Sequence, residues 1–259
     1  MLWRIPDDLW ELIRVTLPAV ELRPSGGRPW IAPRRIVDGV LFVLRTGCQW
    51  KAVPREFGSA STVHRRFQRW TDEGRWEAMW RLLLQYAEAT QQLEWVWQSA
   101  DASLHKAPLG GEKNGAEPDR PREVRDQAPC RHDGGGVPLA VVITAANVPD
   151  MRVVGELLDA RVLRAPAGTE QHACLDKGYD YADAERAVRR RRYVPHIRRR
   201  GEERRRCRRD ERARRWVVER THSWFNRFRK LLIRWEKRPQ NYLALVQFAA
   251  MLIVWRLLG

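Results

Sequence analysis

Three acidic residues occupy positions from which carboxylates could act together on a phosphodiester. Asp101 directly follows the run WVWQSA and Asp176 directly follows HACL, so each is predicted at the end of a strand. Glu219 lies within RRWVVERTHSWFNR, a predicted helix whose apolar face should pack against the sheet and place Trp224 in the core. A carboxylate at a strand end is buried at its root and open at its tip, which is a rigid place to hold a cation.

Three convergent carboxylates repel each other unless divalent cations neutralise them, and their hard oxygens suit Mg²⁺ or Mn²⁺. Two such ions could activate a water or a 3′-hydroxyl and stabilise the leaving oxygen in an in-line displacement. Spacing alone does not establish this chemistry, because a chain with 32 acidic residues offers many triples.

The charge balance indicates a polyanionic partner. The chain of 259 residues has 48 Lys and Arg against 32 Asp and Glu, a net charge of +16. Nucleic acid is the first candidate partner, an anionic membrane the second, and a merely basic protein the alternative. Residues 186–215 hold 16 Arg and four acids between the second and third candidate carboxylates. We interpret this stretch as a surface that tracks DNA, with a solvated charged face as the alternative.

The first part of the chain, residues 1–92, is predicted to be a small all-α domain. Apolar spacing predicts helices at 6–17, 34–46 and 74–92. Residues 48–70 predict two short helices around a turn, a helix-turn-helix whose second helix, capped by Ser61 or Thr62, would contact DNA. An ordinary helical hairpin would give the same pattern. The candidate DNA contacts on the second helix are His64, Arg65, Arg66 and Arg69.

The remainder, residues 93–259, alternates strands with helices and is predicted to be an α/β domain. The predicted strands are 93–101, 137–146, 171–178 and 193–198, and the predicted helices are 150–163, 181–192 and 212–232. Residues 242–258 are strongly apolar, but this run contains Gln247 and Arg256 and is shorter than the roughly 20 residues of a membrane span. We expect a buried C-terminal helix and no membrane partner.

The location follows from the termini and the cysteines. The first residues, MLWRIPDDLW, do not have the pattern of a signal peptide. The four cysteines have no CxxC spacing, so a structural zinc site is not expected. The simplest expectation is free thiols in a reducing cytoplasm.

Long stretches of the chain resemble one family. WQSADASLHKAPLGGEKNG, GVPLAVVITAANVPDM, CLDKGYDY and RARRWVVERTHSWFNRFRKLLIRWEKRPQNYLA are similar to bacterial transposases of the "insertion sequence five" family. WRIPDDLWELIRVTLP and GCQWKAVPREFG resemble that family's helical N-terminal domain. The resemblance implies an RNase H-like catalytic core, two divalent metal ions, and action as a homodimer on double-stranded DNA at the inverted repeats of an insertion sequence.

The resemblance also carries over to single positions. Asp101, Asp176 and Glu219 match the first, second and third acids of the family's catalytic and metal-binding triad. Arg215 matches the family's R-x-x-x-E element. The basic position expected seven residues after the glutamate is Asn226, with Arg227 next to it. Further candidates have alternatives. Lys106 and Lys177 would contact a phosphate or lie on the surface, and His222 would orient a water, contact DNA or pack in the helix.

Residues 122–132, REVRDQAPCRH, break the resemblance. Relatives read Gly-Lys-Ser-Gly-Thr-Lys-Arg or similar here, and codons for that peptide read one nucleotide out of frame give Arg-Glu-Val-Arg-Asp-Gln-Ala, the text of 122–128. The hypothesis is a pair of compensating frameshifts, or of sequencing errors, that bound roughly residues 122–132. Because Pro121, Pro129 and several charges replace a central strand, we expect a loop or a distorted strand and weaker support for Asp101.

Three readings stay open at this point. The first is an active transposase that cleaves and joins DNA. The second is a catalytically impaired, frameshift-scarred relic that only binds DNA. The third is a basic RNA-binding protein, which would have no reason to place acids on two strands and a facing helix.

Overall fold

A computed structural model describes residues 3–18, 30–113, 115–117, 120–197 and 209–259, apart from the side chains of 116–124, 150 and 209–216. In this part of the chain, a helical N-terminal region precedes a mixed sheet. The helices are α1 (Asp7–Ile13), α2 (Pro33–Thr46), α3 (Ala60–Asp72), α4 (Arg75–Ala89), α5 (Asp150–Asp159), α6 (Ala182–Arg190), α7 (Arg209–Asn226) and α8 (Pro239–Leu258). The strands are β1 (Trp97–Lys106), β2 (Gly115–Glu117), β3 (Arg120–Asp133), β4 (Pro138–Val141), β5 (Thr144–Ala145), β6 (Gln171–Leu175) and β7 (Tyr193–Ile197).

The N-terminal helices lie where apolar spacing predicts them. Pro33 begins α2, where a missing N–H costs nothing, and Gly47 ends it with a left-handed backbone, φ +71°. The prediction at 6–17 is confirmed as α1 and a following 3-10 turn, and the prediction at 74–92 as α4.

The segment 48–70 differs from the helix-turn-helix prediction in its first half. Residues 50–52 and 55–57 form two 3-10 turns instead of an α-helix. Pro54 lies between these turns and lacks the N–H that a helix needs, and Gly58 has φ +119°, outside the helical region. The second half is α3, and its cap is Ser59 rather than Ser61 or Thr62, because the Thr62 N–H donates to Ser59 Oγ at 3.3 Å.

The sheet has the order β2-β3-β1-β6-β7, with β4 and β5 also pairing with β3. β1 pairs antiparallel with β3 and parallel with β6, and β6 pairs parallel with β7. The chain thus passes from an antiparallel meander into parallel strands connected by helices. This mixed sheet after a helical region confirms the predicted fold class, α/β with an RNase H-like core.

Strand β1 is longer than the sequence indicates. The prediction ends this strand at Asp101, whereas β1 continues to Lys106 through its pairing with β3. The predicted strand end is therefore wrong for the antiparallel side. On the parallel side it holds, because the pairing of β1 with β6 ends at Ala100 and Leu175.

The anomalous segment forms a central strand, so the predicted loop is wrong. The predicted distortion is found on one side only: pairing with β1 is regular, whereas pairing with β4 shifts register between Arg131 and His132. Residues of β3 pair with β1 from Arg125 to Asp133. Pro129 is tolerated because of where its backbone points. Its carbonyl accepts from the Val142 N–H at 3.1 Å, so its nitrogen also faces the edge away from β1. That edge is where β4 has ended and β5 has not begun, and no ladder donor is needed there.

Two hydrophobic clusters lie on opposite faces of the sheet. One joins the N-terminal helices and α8 to Ala128 and Cys130 of β3, and the other joins α5 and α6 to Ala100 and Leu175. The first cluster contains residues from both sides of the predicted domain boundary at residue 92, which stays a prediction.

Helix α8 is the one helix among the described residues that is long and apolar enough to cross a membrane. Two thirds of its most apolar window, 67%, is buried inside the protein. It packs along α4, with Phe248 and Trp76 5.0 Å apart between ring centroids. The helix thus acts as the core of the helical region.

Candidate active site

The two aspartates lie next to each other on one face of the sheet. Ala100 and Leu175 are register partners in the parallel pair β1–β6, and Asp101 and Asp176 are the next residues on each strand. Because side chains alternate between faces, both carboxylates point away from the cluster that contains Ala100 and Leu175. Both side chains are partly exposed. The sequence prediction that these two residues converge therefore agrees with the register.

Local hydrogen bonds orient both carboxylates. Asp176 follows the last residue of β6 and caps a 3-10 turn, because the Gly178 N–H donates to its Oδ1 at 2.9 Å. Asp101 Oδ1 accepts from the N–H of Ala102 at 2.8 Å. Backbone donors therefore hold each acid in place without a cationic partner side chain in these two contacts.

Helix α7 covers the face on which the aspartates lie. His222 is largely buried and close enough to Asp101 that the carboxylate raises the pKa of the imidazole, although burial has the larger, opposite effect and the net pKa is lowered. Glu219 precedes His222 by one helical turn, so the two are neighbours on the helix surface. The side chain of Glu219 is exposed. The structure thus places the helix of the third acid over the first acid.

Two further buried imidazoles, those of His132 and His105, lie near His222, and sequence reasoning missed His132. His132 of β3 is 5.9 Å from His222 between ring centroids, and burial lowers its pKa to about 3. Burial also lowers the pKa of His105 to about 4. Among the described residues, neither nitrogen of His132 has a hydrogen-bond partner, nor does Nε2 of His222. His132 was not a candidate because it lies in residues 122–132, the segment interpreted as the product of frameshifts.

The acidic residues fit a divalent metal by type. Carboxylate oxygens are the ligands that Mg²⁺ and Mn²⁺ prefer, and Asp101 and Asp176 present them side by side. Among the side chains that the structure describes, however, no three acidic, histidine or cysteine groups are arranged to hold a metal ion. Two of the three predicted ligands are brought together, and Glu219 stands on the covering helix with its side chain in solvent.

The four candidate DNA contacts on α3 separate into two pairs. Arg65 and Arg69 are exposed one turn apart, with Arg69 paired to Glu73 at 2.7 Å. His64 points inward, stacked on Trp50 at 4.6 Å between ring centroids, and burial lowers its pKa. Arg66 lies over the rings of Trp30 and Trp70 at 5.1 and 5.8 Å from their centroids. A duplex could reach the first pair, whereas the second pair has packing roles.

The other basic candidates lie at the ends of elements. Lys106 is the exposed last residue of β1, and Lys177 is exposed directly after Asp176. Arg227 is exposed immediately beyond α7. The Arg215 side chain, like much of the Arg-rich stretch 186–215, lies outside the described residues. In the described part of that stretch, Arg189 and Arg191 form ion pairs with acidic residues.

The expected core position of Trp224 is wrong. This residue is only partly buried, and the Arg220 guanidinium lies 4.9 Å from its ring centroid. The side of α7 that contacts the sheet instead contains Val217, Val218 and Thr221. The sequence suggested the largest apolar ring for the buried position, but a threonine takes it because it hydrogen-bonds to the backbone below.

Comparisons with known proteins identify the family. Residues 5–80 match a family model described as a putative transposase of the IS4/5 family, and residues 130–254 match a transposase DDE domain. The second range includes Asp176 and Glu219, and Asp101 lies between the two ranges.

Curated relatives come from insertion elements and rhizobia. The chain is 36% identical over 118 residues to the insertion element IS402 uncharacterized 16.2 kDa protein of Burkholderia cepacia, which covers 44% of this chain and 80% of that protein. It is 38% identical over 136 residues to the putative transposase for insertion sequence element IS402 of the same species, covering 49% of this chain and 61% of the relative. It is 32% identical over 90 residues to the uncharacterized protein y4sN of Sinorhizobium fredii, covering 35% of this chain and 67% of that protein.

Proposed function

This chain belongs to the family of bacterial insertion-sequence DDE transposases, and we propose that it cleaves DNA at the terminal inverted repeats of an insertion sequence and transfers the freed strands to target DNA. The observation that supports this activity most directly is the position of Asp101 and Asp176, side by side where parallel pairing of β1 and β6 ends. Glu219 lies on α7, the helix that covers the face of the sheet where both aspartates lie.

Asp101, Asp176 and Glu219 would hold two Mg²⁺ or Mn²⁺ ions. When bound, such ions activate the attacking water or 3′-hydroxyl and stabilise the leaving oxygen. The protein's own contribution is to orient the two aspartates by backbone hydrogen bonds and to carry the glutamate on the helix that covers their face of the sheet. Lys177, exposed directly after Asp176, would contact the scissile phosphate.

The basic surface would deliver the DNA. In this proposal, residues 1–92 form the DNA-binding domain, with Arg65 and Arg69 on the exposed face of α3, and residues 93–259 form the catalytic domain. Arg215 and Arg227 flank the glutamate and would contact the backbone of the same duplex. The protein would work in the bacterial cytoplasm, at the nucleoid, as a homodimer that pairs two element ends. Several phosphate contacts would make binding weaken steeply with salt.

The test is a cleavage assay on a duplex that carries one element end. The full chain with Mg²⁺ or Mn²⁺ is expected to release a 3′-hydroxyl at the end of the element, and Asp176→Asn is expected to bind the duplex equally well without cutting it. Glu185→Gln, an exposed acid on α6, serves as the matched control and should cut normally. Undiminished cleavage by Asp176→Asn would contradict the proposal.

A second candidate function is a relic that binds DNA without cutting it, and strand β3 is the observation that favours it. Arg131 and His132 are buried in this strand, and within the described residues Nε and Nη2 of Arg131 and both nitrogens of His132 lack hydrogen-bond partners. Such buried polar atoms each cost about 1–3 kcal/mol. This cost is borne by the strand that pairs with the strand of Asp101.

The two candidates are separated by restoring the reading frame across residues 122–132. If the relic reading holds, the original chain binds end DNA without cutting, and the restored chain cuts in the presence of Mg²⁺. Equal cleavage by both chains would remove the relic reading. The gene sequence is an independent check, since the hypothesis requires an alternative frame that encodes a peptide of the family at this position.

A further inference from the structure

One threonine hydroxyl docks helix α7 onto the sheet. Thr221 is fully buried, and its Oγ1 donates to the Gly136 carbonyl at 2.8 Å while lying 3.0 Å from the Val217 carbonyl one turn earlier on α7. Beside it, Arg220 donates to the carbonyl of Gly135. Two consecutive side chains of α7 therefore donate hydrogen bonds to two consecutive carbonyls of one turn.

The turn between β3 and β4 is shaped to receive them. Gly136 has φ +89°, and a Cβ on it would lie 3.0 Å from both Thr221 Oγ1 and Arg220 Nη2, so no larger residue fits without strain. Asp133 holds the turn closed, because its Oδ1 accepts from the Val137 N–H at 2.7 Å and its Oδ2 accepts from the Glu94 N–H at 2.9 Å. The docking point is rigid on the sheet side.

This docking point connects the helix of the third acid to the strand of the first. Gly136 lies three residues after the end of β3, whose residue Cys130 is the register partner of Asp101. Thr221 lies two residues after Glu219 on helix α7. A helix that slips along the sheet by one residue moves every side chain by about 1.5 Å. Holding that position matters, because misplacement of this size costs on the order of 100-fold in rate.

We propose that Thr221 is a positioning residue that fixes where α7 holds Glu219 relative to Asp101, an inference that rests on the catalytic role proposed for Glu219. The hydroxyl of Thr221 contributes through its contact with Gly136 and does not touch the reacting atoms. Its methyl group and its buried position contribute to packing alone, so the role of the hydroxyl can be separated from that of the side chain's shape.

The test compares Thr221→Val, which keeps the shape and removes the donor, with Thr221→Ser, which keeps the donor. Thr221→Val is expected to lower kcat for cleavage of end DNA by about 10- to 100-fold, with KM for the DNA unchanged. Thr221→Ser is expected to keep kcat within about threefold of the wild type, since the hydrogen-bond donor is retained. Ser223→Ala removes an exposed hydroxyl from the same helix and serves as the control, with no change expected.

A second readout does not depend on turnover. The rise in unfolding temperature on adding Mn²⁺ reports how well the three carboxylates hold the ion. Glu219→Gln and Thr221→Val should each reduce this rise, and Thr221→Ser should preserve it. The midpoint without Mn²⁺ separates loss of packing from loss of position.

The inference is overturned if Thr221→Val keeps the kcat and the Mn²⁺ response of the wild type. It is equally overturned if Thr221→Ser loses both to the same degree, because packing would then explain the effect. Normal cleavage by Glu219→Gln would instead refute the proposed function, so the two failures are distinguishable.

Discussion

The helical region and strand β3 lie against each other in one core, but the side chains that they bury differ in polarity. The helical side is apolar, with Val40, Phe67 and Trp80 fully buried. Strand β3 buries Arg131 and His132 together with Asp126 and Asp133 at 2% exposure or less. Backbone pairing can therefore hold a segment in the sheet even where its side chains do not suit the interior. Pairing fixes the strand, and packing determines what that strand costs.

The largest expected effect is on the apolar side. Trp80→Ala in α4 should lower the free energy of unfolding by about 3–5 kcal/mol, because it leaves a large cavity in a close-packed core. Urea denaturation measures this loss. Tyr86→Ala on the same helix removes a ring that is 45% exposed and should cost far less. Similar losses for both variants would show that this core is loosely packed.

Breaking the buried ion pair of β3 should have the next largest effect. Arg234 Nη1 lies 3.2 Å from Asp126 Oδ2, and both side chains are fully buried. Arg234→Met should destabilise the fold by about 3–5 kcal/mol, because it leaves a buried carboxylate unpaired.

The pH dependence of this variant and a second substitution sharpen the test. Burial raises the pKa of Asp126 to about 6, even with Arg234 beside it. A carboxyl with a raised pKa destabilises the folded state when ionised. Removing Arg234 raises the pKa of Asp126 further, so Arg234→Met should regain stability as the pH falls from neutrality towards about 4. Arg234 also donates to the carbonyls of Glu112, Glu236 and Lys237, so adding Asp126→Leu should recover only the part of the loss at pH 7 that comes from the unpaired charge. If the double variant is as unstable as the single one, the unpaired charge is not the cause.

Removing an unsuited group from β3 should stabilise the protein. His132→Leu replaces a buried imidazole that has no partner among the described residues and should raise the free energy of unfolding by about 1–3 kcal/mol at pH 7.

The acid limb of the stability curve gives the matching signature. Burial lowers the pKa of His132 to about 3, so the unfolded chain takes up a proton between pH 6.5 and 3 that the folded chain does not. Wild-type stability therefore falls as the pH drops through that window, and His132→Leu should flatten part of the fall. A destabilised variant at pH 7 would mean that His132 has an undetected role in the core.

The smallest expected effect tests a local signal on the helical side. Ser59→Ala removes the side-chain cap of α3 and should cost about 1 kcal/mol, measured as a shift in the denaturation midpoint. Ser61→Ala, inside the first turn of the same helix, is the control for the position predicted from the sequence. A larger effect of Ser61→Ala would mean that Ser61, rather than Ser59, caps α3.

The sequence was informative wherever local chemistry determines the structure. Pro33 and Gly47 mark the limits of α2 because each sets its own backbone angle. Asp101 and Asp176 could be paired in advance, since neighbouring parallel strands that end together bring their last residues together. These predictions needed no knowledge of distant contacts.

Other features depend on partners far along the chain and could not be predicted. The extension of β1 to Lys106 is determined by its pairing with β3, and β3 itself tolerates Pro129 only because of the gap between β4 and β5. The burial of Thr221 in place of Trp224 depends on the Gly136 carbonyl, 85 residues earlier. Periodicity identifies an apolar face but does not show which single position meets a backbone acceptor.

During synthesis, helix α8 is made long after the N-terminal helices against which it packs. The helices that pack around it end at Ala89, and α8 begins at Pro239, 150 residues later. At about 5–20 residues per second, a ribosome needs about 10–30 s to make the intervening chain. For that time the apolar faces of α3 and α4 lack the helix that packs against them. A chain that stops or changes frame before Pro239 therefore exposes these faces to chaperones and proteases, and the helical region completes its core only when α8 is made.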